Sequence, residues 1–185
     1  KRFHQLDKID QRLITSRALR CIVILKESHP DIRFDVFERL NTGSVRLNAQ
    51  ELRNSTYRGP MNDLLRELSD YPRFMQARNV ESIDKRMQDC ELVLRFFAFH
   101  HRLVEYRGNF SPFLDEYLSD GNKFPASALE AHGILFMRVI DDIFEVFGSS
   151  AFRRWGGPVG GWEKQINRAI YDVIMLSFAR TSSDE

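Results

Sequence analysis

The stretch DCELVLRFFAFHHRLV, residues 89–104, decides how this chain folds. Its apolar positions Leu92, Val93, Phe96, Phe97, Phe99 and Leu103 recur at helical spacing and cover more than half of a helix circumference. A helix on a protein surface carries one apolar stripe, whereas one that is apolar on most sides is enclosed by other elements. The spacing therefore predicts a central, buried helix, and the segments on either side have to supply its cover.

Those segments read mostly as helices. Downstream, Phe110 to Leu118 is a short amphipathic stretch after Gly108. Ala126 to Phe147 repeats Leu129, Ile134, Leu135, Met137, Val139, Ile140, Ile143 and Phe144 at helical period. Lys164 to Arg180 is the last helix, and 181–185 is a polar tail. Between them, WGGPVGGW (155–162) has the glycine and proline content of a loop.

Upstream, Met61 to Leu68 forms a helix after the break at Gly59-Pro60, and Asn48 caps another, with Glu51 at the capping-box position. Pro30-Asp31 opens a helix bearing Ile32, Phe34, Val36, Phe37 and Leu40, which ends at Asn41-Thr-Gly-Ser44. Gly43 suits the left-handed helix-ending position. The β-branched run Leu19 to Leu25 predicts a strand, and Gln5 to Ala18 a helix with Leu6, Ile9, Leu13 and Ile14 on one face. The expected total is seven or eight helices and one strand. A lone strand needs backbone partners, and none is evident, so the rest of its sheet is expected upstream of Lys1. The chain then reads as a piece starting in mid-protein.

Composition narrows the function classes. The 185 residues are 43% hydrophobic and 29% charged, within the range of one globular domain, with fifteen Phe as core material. A formal charge of +1 leaves no global field for nucleic acid. The total hides a bias: residues 1–26 hold seven Lys/Arg against Asp7 and Asp10, while residues 103–152 hold three against eight acids. The basic end could face DNA or a missing segment, and equally reads as a solvated helix face. The longest apolar run, Cys21 to Leu25, is too short for a bilayer. Two cysteines, Cys21 and Cys90, without a Cys-x-x-Cys or Cys/His cluster, fit reduced thiols in the cytoplasm. His100-His101 and Asp141-Asp142 each point in two directions on a helix, which argues against a shared metal site. No phosphate-binding loop, nucleophile elbow or HNH-type zinc spacing occurs.

One constellation carries chemistry. Helix, glycine turn and new helix run from Phe37 to Asn54, with Arg39, Arg46 and Arg53 around the turn. Backbone N–H groups at helix ends and tight turns, with arginines nearby, can hold phosphate. The same residues also read as a plain helix end followed by a capping box.

The strings FERLNTG (37–43), LNAQELRN (47–54), YRGP (57–60), RMQDCELVLRFFA (86–98), YRG (106–108), Phe113-Leu114 and DVIMLSF (172–178) extend over nearly the whole chain. Together they resemble the N-terminal domain family of GmrSD-type restriction endonucleases, which has a ParB/sulfiredoxin-like core. The resemblance implies a mainly α-helical fold: a multi-helix bundle whose one strand completes a small sheet of an α+β core lying upstream. Residues 1–60 would end that core and carry the Asn-Thr-Gly turn, and 61–185 would form the bundle, all within one domain segment. It implies a bacterial defence protein that couples binding or hydrolysis of a nucleoside triphosphate (ATP or GTP, with Mg) to cleavage of modified foreign DNA. Carried over residue by residue, Arg39, Asn41, Thr42, Gly43, Gln50, Glu51, Arg53 and Asn54 would bind nucleotide or phosphate. Gln50, Glu51 and Asn54 equally suit structural roles. The implied partners are the missing N-terminal part of the domain, a nuclease domain or subunit, DNA and a second copy of the chain, with no membrane.

The family's Asp-Gly-Gln-Gln-Arg motif does not occur, and Ile9-Asp10-Gln11-Arg12 matches it only by chance. No catalytic residue is therefore assigned. The alternative reading is a non-catalytic helical scaffold that binds a partner protein or DNA.

Overall fold

The computed structural model describes residues 2–18, 23, 36, 47–156 and 160–181. Among these the protein is mainly α-helical, with eight α-helices and three short 3-10 turns. The expected strand Leu19 to Leu25 lies outside the described residues except for Val23, which is 80% exposed and in no regular element. The helix expected after Pro30 and the turn at Asn41 to Gly43 also lie outside them, apart from Val36, which is helical.

After α1 (Lys8–Thr15), the helices are α2 (Ala49–Thr56), α3 (Pro60–Ser69), α4 (Pro72–Arg78) and α5 (Gln88–Arg102), followed by α6 (Phe110–Gly121), α7 (Ala126–Phe147) and α8 (Arg168–Thr181). Helix α5 is the expected central element. Ten of its fifteen residues are buried, including the run Leu92 to Phe99. It packs against α2, α3, α6 and α8, while α7 closes the bundle by packing on α3, α4 and α8. Asp89 and Glu91 stand in the first turn of α5 and Arg102 in the last, the polarity that the helix dipole favours. Its entry is locked locally. The Asp84 carboxylate accepts from the Arg86 and Gln88 N–H groups at 2.8 and 3.3 Å, and Asp89 accepts from the Asp84 N–H at 2.7 Å.

The core is aromatic. Phe136 on α7 stands edge-on to Phe74 of α4, with ring centroids 5.2 Å apart, and meets Phe96 and Phe97 of α5 at 5.9 and 6.0 Å. Tyr171 of α8 is fully buried against Phe74 and Phe152 and donates its hydroxyl to the Leu92 carbonyl at 3.0 Å. Burial holds its phenol well above the ordinary tyrosine pKa.

Three local outcomes differ from the sequence reading. The first helix covers only Lys8–Thr15, and its apolar residues Ile9, Leu13 and Ile14 are 72, 62 and 54% exposed rather than buried. Residues 72–78 form α4, a helix the periodicity did not signal. It has Pro72 at its first position, where a missing N–H costs nothing, and left-handed Asn79 at its end. The last helix begins at Arg168, not at the expected Lys164. The loop 155–162 has paired ends. Trp155 and Trp162 form an isolated antiparallel bridge, their rings meet edge-to-face at 5.3 Å, and Arg154 donates through Nε and Nη2 to a single oxygen, Oε1, of Glu163.

Asn122 makes a junction that only the folded chain reveals. Its side-chain oxygen accepts from the Met61 N–H at the start of α3 (3.1 Å), and its amide donates to the Tyr57 carbonyl at the end of α2 (3.0 Å). A Cβ on Gly59 would stand 2.5 Å from that oxygen. Gly59→Ala must displace Asn122 and break both bonds, so the expected loss is about 1–3 kcal/mol. Urea unfolding measures it, and a loss below about 0.5 kcal/mol would show that the junction yields freely.

Candidate functional site

The four carried-over residues that the structure describes, Gln50, Glu51, Arg53 and Asn54, all lie on α2. Arg39, Asn41, Thr42 and Gly43 lie outside the described residues. The expected capping box is present: the Glu51 N–H donates to Asn48 Oδ1 at 2.9 Å, and the Asn48 N–H donates to Glu51 Oε2 at 2.7 Å. The box is also tied to the segment before α5. The Asn48 amide donates to the Arg86 carbonyl at 2.6 Å, and the Arg86 guanidinium stands 3.3 Å from the Glu51 carboxylate.

One turn further along α2, Arg53 points inward and is 2% exposed. Its Nε donates to Asp115 of α6 at 2.6 Å, Nη2 donates to Ser111 at 3.1 Å, and Nη1 reaches Gln50 Oε1 at 3.3 Å and Glu91 of α5 at 3.4 Å. An arginine is the cation best suited to such a position, because its planar fork can meet several acceptors at once. The residue offered to phosphate by the sequence reading is thus committed to two carboxylates of the bundle. Its partners Asp115, Glu91 and Ser111 were not foreseen, since they lie 62, 38 and 58 positions away.

Gln50 lies one turn before Arg53 on α2, and Asn54 is the residue after it. Asn54 accepts from the Asn62 amide of α3 at 2.8 Å. Gln50 is 1% exposed, and its buried Nε2 has no hydrogen-bond partner among the described residues. An amide nitrogen in that state forfeits its desolvation without return. These residues therefore hold a guanidinium engaged by four side chains, an Asn54 oxygen paired with Asn62 and, among the described residues, one buried amide donor lacking an acceptor.

The remaining candidates fall into structural arrangements. Tyr117 Oη lies 2.7 Å from His101 Nδ1 and 3.0 Å from His132 Nε2, while His132 Nδ1 faces the Ala128 carbonyl at 2.6 Å. That carbonyl requires a proton on His132 Nδ1, so Tyr117 donates to Nε2 and accepts from His101. Burial first, then the neighbouring His132 and His100, push the His101 pKa down to about 4. The His100 and His101 rings meet edge-to-face at 4.8 Å, and each also lies against an aromatic ring, Phe96 and Phe97 respectively. Asp141 accepts from the Tyr71 hydroxyl at 2.7 Å. Ile9-Asp10-Gln11-Arg12 sits in α1, where the Asp10 N–H donates to the Asp7 cap and the Gln11 side chain donates to the Leu6 carbonyl. Burial raises the Cys90 thiol to about 11, which removes it from thiolate chemistry.

Among the described residues, no group of three or more His, Cys, Asp or Glu side chains is placed to hold a metal ion, and no helix is long and apolar enough to cross a membrane. No protein-family model, curated protein or solved structure matches the chain.

Proposed function

We propose that this chain is the helical part of a GmrSD-type defence domain, in which α2 forms one wall of a site for the phosphates of a nucleoside triphosphate. Asn41, Thr42, Gly43 and residues upstream would supply the rest. The observation that carries this reading is the Gln50 Nε2 donor, buried beside Arg53 with no acceptor. In this arrangement α2 is a positioned wall. The Asn48 box, the Glu51–Arg86 pair and the Arg53 network fix it against α5 and α6, so the Gln50 amide is held in place before any ligand arrives. Arg53 acts as the anchor, and Arg39 is the cation left to neutralise phosphate.

The second reading, a scaffold that binds a protein or DNA and no nucleotide, is favoured by the saturation of Arg53 by Asp115 and Glu91. Isothermal titration of ATP and of GTP with Mg separates the two. Under the first reading one nucleotide binds, and Asn41→Ala, Arg39→Ala and Gln50→Ala each weaken it about tenfold, the size of one charge-assisted or buried hydrogen bond. Equal binding by the unchanged chain and the three variants, or none by any of them, sinks the nucleotide site.

A further inference from the structure

A second group of cations lies elsewhere in the bundle, among residues that the resemblance does not assign. A cleft of about 530 Å³ opens between the ends of α4 and α5, the segment before α8 and α8 itself. Arg78, Lys164 and Arg168 line it, against a single carboxylate, Asp84. Asp84 is already occupied by two backbone N–H groups of the α5 entry. Val80, Leu92 and Ile166 supply apolar wall.

The three cations differ in how firmly they are held. Arg78 is 9% exposed, and its Nη1, 3.6 Å from Asp89, makes no hydrogen bond. Its guanidinium carbon lies 5.0 Å from the Phe74 ring centroid, which fixes the group without using its donors. Arg168 is half-exposed and only loosely tethered, at 3.3 Å to Gln88 and 3.7 Å to Glu91. Lys164 is exposed and makes no ion pair among the described residues. The chain therefore brings three cations to one concavity: Arg78 held at its wall with Nη1 turned inward to Asp89, Arg168 loosely tethered, and Lys164 exposed.

We propose that this cleft binds a phosphate monoester on a small molecule with an apolar body. A phosphate monoester offers three acceptor oxygens and close to two negative charges, enough to engage donors converging from three directions; a carboxylate offers two oxygens and one charge. The volume exceeds what a bare phosphate needs and falls in the range of small-ligand pockets. The Val80, Leu92 and Ile166 side chains receive the rest of the molecule.

Phenyl phosphate is the probe, titrated into the full chain by calorimetry and by methyl NMR, with inorganic phosphate, benzoate and phenol alongside. The expected result is that phenyl phosphate binds more tightly than each of the other three and shifts the methyl resonances of Val80, Leu92 and Ile166. Lys164→Ala and Arg168→Ala, both at exposed positions, should each weaken it about tenfold without moving the melting temperature. Arg78→Lys keeps the charge and loses the fork, and should weaken phenyl phosphate more than benzoate. Benzoate binding as tightly as phenyl phosphate overturns the proposal. So do unshifted Val80, Leu92 and Ile166 methyls, and so does unchanged affinity in Lys164→Ala and Arg168→Ala.

Discussion

Arg53→Met should destabilise the protein by about 3–5 kcal/mol, the cost of leaving one side of a buried ion cluster unpaired. Methionine fills much the same volume, so packing changes little. The loss comes mainly from Asp115, 15% exposed and deprived of its guanidinium, and less from Glu91, 17% exposed, which keeps Arg168 at 3.7 Å. The variant also carries its own test of cause. Protonation removes the charge of a carboxylate that has lost its cation, so the penalty shrinks as pH falls. Urea unfolding at pH 7 and near pH 4 should therefore show a smaller difference between variant and unchanged chain at the lower pH. Asp115→Asn in the Arg53→Met background should recover part of the loss. A penalty that is the same at both pH values would mean that packing, not charge, is what Arg53 provides.

Phe136→Ala should be comparably severe, at about 3–5 kcal/mol, because an aromatic side chain is lost and the space it leaves cannot collapse. Phe136 is fully buried and touches rings from two other helices, Phe74 on α4 and the Phe96–Phe97 pair on α5. Three elements would have to shift together to fill the gap. Phe136→Leu keeps most of the volume and should cost clearly less. Denaturant midpoints for both variants give the comparison, and near-ultraviolet circular dichroism reports whether the aromatic cluster loses its fixed packing. Equal losses from alanine and leucine would place the energy in ring–ring geometry and not in filled volume.

The central helix and the ends of the longest one were legible because both depend on local period. The pattern at 89–104 reappears as Gln88–Arg102, and Ala126–Phe147 has the bounds its spacing indicated. The Asn48–Glu51 box was legible for the same reason, since both partners lie within one turn. Helix α4 was missed because seven residues hold too little pattern, and its ends are set by Pro72 and a left-handed Asn79, not by a polar cap. The period of α1 was read correctly as apolar on one face, but period cannot say what covers that face, and it lies open among the described residues. The site was legible only in part. Gln50, Glu51, Arg53 and Asn54 were picked out as a group, yet what decides their chemistry, the carboxylates of Asp115 and Glu91, comes from helices whose proximity no local spacing encodes. Of the cleft residues, Lys164 and Arg168 were read within one helix, but Arg78 ends a helix that the period did not signal, so the three formed no motif to notice.

Arg153 is buried, and its guanidinium donates to the Ala77 and Arg78 carbonyls at the end of α4 and to the Ser149 and Ala151 carbonyls of its own turn. A seven-residue helix is too short to persist alone in water. Its last turn is closed by a side chain 75 and 76 positions away, so α4 has no independent existence: it can fray only when the segment after α7 lets go. The two should behave as one opening unit in amide exchange, with the α4 amides as slow as those around Ala151. Arg78, the best-held cation of the cleft, sits at that same closed end, so the cleft inherits its rigidity from a clasp that is not part of its lining.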